Sequence, residues 1–524
     1  MIPFFPGLHR LLFVGILVFL PGLNSLAQSD EKPSAFWHLG GNDLPEGPVG
    51  ANVTNAWRMF DVMVPREMVT VAVLDDGVNV SHPDLQGAIW TNPGEVPFND
   101  LDDDGNGLVD DVVGWNFLVD SAGNTIYNAR FEVIWALAIA DHLDSLGLPR
   151  PKWLDDRAVS RAREIEQELL KIHDENFNLG FFRYLWNEQF EENMGRELTA
   201  LEQLIYWKKE VQLNRDDFKL LKIFLEVGLT LEDLSEFAEE WIDWTNVQLN
   251  PEWDPRDPNE PDWAYGDLYC AEADSDHGTH VAGIIAAQRE NGRGMDGVAS
   301  GACNIMTLRV VPDGDERDKD VANGIRYAVD EGAKVINMSF GKAISPQVEL
   351  VRDALRYAAD HDVLLVHAAG NDSYNTDTYR SYPNPNGDPK VEACFVSVGA
   401  TTSFTGKDLV ADFSNFGKHT VDLFAPGDEI YSLAHEEDTT WMGGTSMAAP
   451  VVSGVAALLR AHFPHLTAAQ VKTILMESVY QPPGEYRIPG GGKKDLVPFS
   501  DLCVSGGMVD ALEAVKLALT YPKP

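Results

Sequence analysis

The 524-residue chain has room for roughly two to four domains, and 44% hydrophobic residues supply a large buried core. Forty Lys and Arg against 82 Asp and Glu give a formal charge of −42, which argues against binding nucleic acid or an anionic membrane, since both need basic patches. Such a balance fits acidic loops that take up cations, or a saline habitat.

From the N-terminus, His9 and Arg10 precede the apolar run Leu11–Leu20, and Ser25-Leu26-Ala27 places small residues before Gln28. Residues 1–27 are therefore expected to be a signal peptide. The apolar run is too short for a permanent span, no later stretch reads as one, and no Cys follows it to carry a lipid anchor. A secreted or periplasmic chain with no stable membrane span is expected.

A short segment, 28–47, leads to a first α/β part over 48–120, where Val69–Leu74 reads as a buried strand and Gly114–Phe117 as another. Residues 121–262 change character. The stripes Ala162/Ile165/Leu169/Ile172, Leu198/Leu201/Leu204/Ile205 and Leu231/Leu234/Ala238/Trp241 have helical spacing. Thr230-Leu231-Glu232-Asp233 has the form of a capping box. The Pro- and Asp-rich stretch Asn250–Trp263 reads as the return linker. An all-α insertion is expected, either a passive helical bundle or an element that shades the site.

The second α/β part, 263–524, holds apolar strands at Asn304–Val311, Lys334–Met338, Val363–Val366 and Phe395–Val398. Helical patterns separate them: Val321/Ile325/Ala328/Val329, Val348/Val351/Leu355/Ala358 and Val471/Ile474/Leu475. Alternation of strand and helix predicts a mostly parallel sheet with helices on both faces, and places functional groups at the carboxyl ends of strands. Cys270, Cys303, Cys394 and Cys503 allow three pairings. Cys303 and Cys394 precede strands, where a buried free thiol is the ordinary state.

Three segments carry chemistry: Asp75 in VAVLDDGVNVSHPDL, His277 in HGTHVAG and Ser446 in GGTSMAAPVVSGVAALL. A serine hydroxyl needs a base within hydrogen-bond reach, and a carboxylate that orients this base completes the set. Asn371, after the strand in LLVHAAGNDS, is a candidate oxyanion donor beside the N–H groups that open the Ser446 helix. His280, a turn beyond His277, is expected to pack, and Asp76 to face away from Asp75. Asp100, Asp102, Asp104, Asn106 and Asp111 have EF-hand-like spacing with Gly105 at loop position six. A structural calcium is expected there, although Asp111 stands where Glu is usual; no cofactor is expected for the chemistry.

These segments resemble the subtilisin-like serine peptidases (subtilases). TNPGE…DDDGNGLVDDVVGWNF and VPDGDERDKDVANGIRYAVDEGAKVINMSFG resemble secreted members from Bacteroidetes-like bacteria. The resemblance covers residues 48–120 and 262–520. It implies the three-layer subtilisin-like fold and an acyl-enzyme serine endopeptidase acting on peptides or proteins, expected as a monomer. It further implies that Ser339, Phe340 and Gly341 pair with the substrate backbone and, with Gly370, wall an uncharged primary pocket. Asp84 and Asn291 match a calcium site of the family, the loop near Asn291 being one residue longer. The family's usual inhibitory propeptide is expected to be missing or replaced, because 28–47 is too short to fold alone. A peptide-binding protein of this fold that does not cleave, and a hydrolase of esters or modified peptides, remain open.

Overall fold

β-Branched Val69, Thr70, Val71 and Val73 favour extended backbone, and strand β1 spans Val69–Asp75. The computed structural model describes residues 33–41, 48–60, 65, 67–119, 125–127, 129, 131–167, 169–170, 266–268, 270, 276–435 and 438–522. The expected signal peptide, the helical stripes beyond 170, the Thr230 capping box and the 250–263 linker lie outside them. The chain divides into two units, Met1–Tyr127 with Pro255–Pro524, and Asn128–Asp254.

In the first unit six further strands accompany β1: β2 (Gly114–Asn116), β3 (Cys303–Arg309), β4 (Val335–Met338), β5 (Leu364–Ala368), β6 (Phe395–Thr401) and β7 (Leu423–Pro426). They form one sheet in the order β2-β3-β1-β4-β5-β6-β7, and all its pairs run parallel. Among the described residues this unit's longer helices, of eight residues or more, are α1 (Val53–Phe60), α2 (Asp276–Ala286), α3 (Asp318–Asp330), α4 (Val348–Asp360), α5 (Thr445–His462), α6 (Ala468–Glu477) and α7 (Ala511–Ala518).

Side chains alternate across a strand. Val71 and Val73 enter an apolar cluster with residues of α1, α2, α5, α6 and α7. Ala72 and Leu74 enter a second cluster with residues of α3 and α4. The result is the expected α/β architecture, a parallel central sheet with helices on both faces. Strands β4 and β5 are buried throughout and β1 at all but Thr70, which is why they read as nearly continuous apolar runs.

Helix α5 lies in the larger cluster and survives there because its residues are small. A Cβ added at Gly454 would stand 2.6 Å from Val298 Cβ. Residues before β1 are built into the same core. Trp37 Nε1 donates to Glu429 O at 2.8 Å, Trp57 Nε1 to Val298 O at 3.0 Å, and Asn52 Nδ2 to Asp510 Oδ1 at 2.9 Å.

Strands β1, β4 and β5 are neighbours. Parallel pairing brings their carboxyl ends to one edge of the sheet, so Asp75, Ser339–Gly341 and Gly370–Asn371 emerge there side by side. In the second unit, Glu132–Ser145 and residues 156–167 are helical. Trp135 stacks on Trp153 with centroids 5.8 Å apart, and Arg163 pairs with Asp141 at 2.5 Å.

Candidate active site

Asp75 closes β1 and is 1% exposed. Its Oδ1 lies 2.7 Å from Nδ1 of His277, the second residue of α2. The helix approaches closely because residue 278 is glycine: a Cβ there would fall 1.9 Å from Gly77 O. A proton on Nδ1 held toward Asp75 leaves the Nε2 lone pair as the base. Burial resists charging of the imidazole, but the Asp75 carboxylate, by charge and hydrogen bond, and then the charge of Asp76 outweigh it. The His277 pKa is pushed up to about 9. The ring keeps 37% of its side-chain surface open, so water moderates that pull.

Asp76 accepts the Gly278 N–H at 2.8 Å. Burial first, and then the neighbouring Asp75 charge, raise its carboxyl to about 7. Asp76 is thus a second acid acting on His277 through space; it lies just past the end of β1, so strand alternation does not turn it away and its carboxylate meets the start of α2 as that of Asp75 does.

Ser446 is the second residue of α5, where first-turn N–H groups have no intrahelical acceptor. Its Oγ donates to Ser339 O at 2.9 Å, and Ser339 Oγ donates back to Ser446 O at 2.8 Å. Asn337 Nδ2 donates to Ser339 Oγ at 2.9 Å, and Ser453 Oγ to Asn337 Oδ1 at 2.8 Å. This ladder ties the end of β4 to the helix that carries Ser446. To reach the His277 ring, the hydroxyl would have to leave Ser339 O.

Asn371 is fixed by Thr445. Its Oδ1 accepts from Thr445 N at 2.8 Å and from Thr445 Oγ1 at 2.9 Å, while Gly370 N donates to Thr445 Oγ1 at 3.0 Å. With the amide oxygen committed, Nδ2 is the donor left for a ligand, beside the turn that precedes Ser446. Phe340 packs on the α3/α4 cluster. At Gly341 a Cβ would crowd Ser381 Oγ and Tyr382 O at 3.1 Å.

His280 is buried, with Nε2 3.1 Å from Ile430 O and 3.3 Å from Thr440 O. Burial drives its pKa down to about 3, which suits a packed neutral ring. Cys270, Cys303, Cys394 and Cys503 are all buried free thiols; burial pushes Cys270 and Cys303 up to about 12 and Cys503 to about 11.

In the acidic loop the structure brings Asp104 and Asp111 together with Glu95, their carboxylate oxygens within 4.8 Å of one another. Asp100 and Asp102 are not in this group. Asp102 instead shapes the turn, accepting Gly105 N at 2.7 Å, Asn106 N at 3.1 Å and Gly107 N at 2.9 Å. Asp100 donates its N–H to Asp110 Oδ2 at 2.9 Å.

Asn106 reaches Asp111 Oδ2 at 3.0 Å, and Asn92 reaches Asp104 Oδ2 at 2.9 Å. Glu95 is 8% exposed and its Oε2 is buried without a partner. Burial, then the Asp111 and Asp104 charges, raise nearby Glu331 to about 7. An oxygen-only donor set with a buried unpartnered carboxylate oxygen fits a hard cation such as calcium. Glu95 escapes a twelve-residue loop pattern because it lies ahead of it, in TNPGE. Asn291 Nδ2 donates to Asp84 Oδ1, so those two residues also meet.

A model of the subtilase family matches residues 66–492. The cell wall-associated protease of Bacillus subtilis is 43% identical over 206 residues, 39% of this chain and 21% of that protein. Thermitase of Thermoactinomyces vulgaris is 38% identical over 184 residues, 35% of this chain and 60% of that protein. The match thus spans between a fifth and three fifths of these relatives' length. Among solved structures, proteases from Pseudoalteromonas arctica align at a TM-score of 0.48 with 21% identity, covering 93% of this chain and 98% of that one.

Proposed function

The chain belongs to the subtilase family, and from that premise we propose that it is an exported serine endopeptidase with Ser446 as nucleophile, His277 as base and Asp75 as orienting carboxylate. Ser446 Oγ attacks the peptide carbonyl and His277 Nε2 takes its proton. Asn371 Nδ2 and the Ser446 N–H receive the developing oxyanion. His277 then protonates the leaving amine, and water releases the acyl group by the reverse proton traffic. The observation that carries this reading is the 2.7 Å Asp75–His277 contact at the same sheet edge from which Ser339 grips the Ser446 hydroxyl.

The substrate is a peptide or protein chain lying along Ser339, Phe340 and Gly341, held mainly through its backbone. The Glu95/Asp104/Asp111 cluster, with Asn92 and Asn106 beside it, would hold calcium that stabilises the fold and takes no part in the reaction. Asp84 with Asn291 is a second place for such an ion. The chain acts outside the cytoplasm as a monomer and needs no chemical cofactor; among the described residues no helix is long and apolar enough to cross a membrane.

Peptide-library cleavage with mass-spectrometric mapping of the new termini tests the reading. Wild type should generate defined internal cuts and Ser446→Ala none. Equal cleavage by both would overturn it.

A further inference from the structure

We propose that Lys342 is a positioning residue, clamping the substrate-pairing edge 339–341 to the N-terminus of α3; this deepens the peptidase reading and rests on it. Lys342 directly follows Gly341, and its side chain is 2% exposed. Its ammonium sits 2.9 Å from Asp318 Oδ1 and donates to Glu316 O at 2.5 Å. Its backbone exchanges two hydrogen bonds with Tyr382, at 3.0 and 2.9 Å. Asp318, 5% exposed, also accepts Ser345 Oγ at 2.9 Å and Gln347 N at 2.6 Å. Segments 316–318, 342–347 and 382 therefore converge on one buried charge.

A buried ion pair is seldom the most stable way to fill such a space, since desolvation of both ions offsets their attraction. What it supplies here is direction: an apolar side chain could slide, whereas an ammonium held by a carboxylate and a carbonyl cannot. The place is three residues from Ser339, whose carbonyl holds the Ser446 hydroxyl. A peptide pairing with an edge reads the spacing of its N–H and C=O groups, so slack at residue 342 spreads directly into 339–341. Glu316, 3% exposed with Oε1 unpartnered, lines the same narrow cleft together with Asp318, Lys342, Arg352 and Tyr382. Burial, against the attraction of Lys342, raises the Glu316 carboxyl to about 8. By geometry Asp318, with Oδ1 2.9 Å from the ammonium, is the side chain that holds the clamp.

The test compares kcat and KM for an extended peptide and for a single-residue ester in wild type, Lys342→Met, Lys342→Arg and the double variant Asp318→Asn/Lys342→Met. Lys342→Met should raise the peptide KM about tenfold, corresponding to a tenth of the edge-bound population, while kcat/KM for the ester changes less than twofold. Lys342→Arg should recover most of the peptide KM. Should Lys342→Met fail to fold, the double variant, which strands no carboxylate, is expected to show the same split. Losses equal for ester and peptide, an unchanged peptide KM, or failure of both variants to fold would overturn the proposal. A wild-type chain that cleaves no peptide would instead overturn the peptidase reading and, with it, this one.

Discussion

The active-site edge and the loop from Asn92 to Asp111 are both crowded with polar groups, yet they are built on opposite principles. At the edge unlike groups meet: Asp75 Oδ1 faces His277, the Asn371 oxygen faces two Thr445 donors, and Ser446 and Ser339 exchange hydrogen bonds. In the loop, Glu95, Asp104 and Asp111 face one another, and neutral groups donate to them: the amides of Asn92 and Asn106, the Tyr327 hydroxyl and the N–H groups of Asp103 and Asp104. The first arrangement is held by complementary pairs, with Asp75 Oδ2 the buried oxygen left without a partner. The second gains from a cation, because like charges brought together and partly desolvated repel. Chemistry and cation-linked stability should therefore separate.

The sharpest way to break that separation is Ser446→Ala, which should lower turnover by about a millionfold while leaving the melting temperature and its response to calcium nearly unchanged. Activity and melting assays on one preparation check this. Asn371→Ala should cost about 10² to 10³ in kcat with little change in KM, since in the proposed reaction Nδ2 would act on charge that exists only in the transition state. A KM effect of that size with kcat intact would assign Asn371 to substrate binding instead.

The third test is a pH profile. In the proposed reaction His277 would act as base only when neutral, and against the opposing effect of burial Asp75 and Asp76 raise its pKa from 6.5 to about 9. Activity should therefore rise with pH along a limb displaced above 6.5. Asp76→Asn removes one of the two carboxylates that favour the imidazolium, so the limb should move to lower pH. A limb that moves up, or stays fixed, would show that Asp76 does not act on His277.

The smallest effect is expected at the loop. Calcium bound only to the folded chain at a hundredfold excess over Kd adds about 2.7 kcal/mol, so chelation should lower the melting temperature by several degrees. Glu95→Gln should abolish most of that response. A melting curve indifferent to both chelator and substitution would remove the cation from the account.

The sequence made the same contrast only partly visible. Buried parallel strands announce themselves as apolar runs, so β1, β3, β4, β5 and β6 were legible within a residue or three of their ends. Asp75, His277 and Ser446 sit in segments whose small residues leave few alternatives, as Gly278 against Gly77 shows. Helices α1 and α7 and strand β7 carried too short a pattern to read; their place follows from long-range contacts such as Asn52 with Asp510.

The loop was legible as acidic but not in its grouping. A linear spacing rule treats Asp100 and Asp102 as ligands, whereas turn geometry spends Asp102 on backbone N–H groups and brings in Glu95 from outside the pattern. Lys342 gave no signal at all, since a lysine beside Gly341 reads as solvent-exposed until Asp318 is seen to meet it.

One measurement tests the central claim most directly: the rate at which a fluorophosphonate labels the folded chain, with the modified residue mapped, in calcium and in chelator at a temperature well below melting. The account predicts labelling of Ser446 at the same rate in both conditions, together with a lower melting temperature in chelator. Labelling elsewhere, or labelling of Ser446 that vanishes in chelator while the chain stays folded, would contradict it.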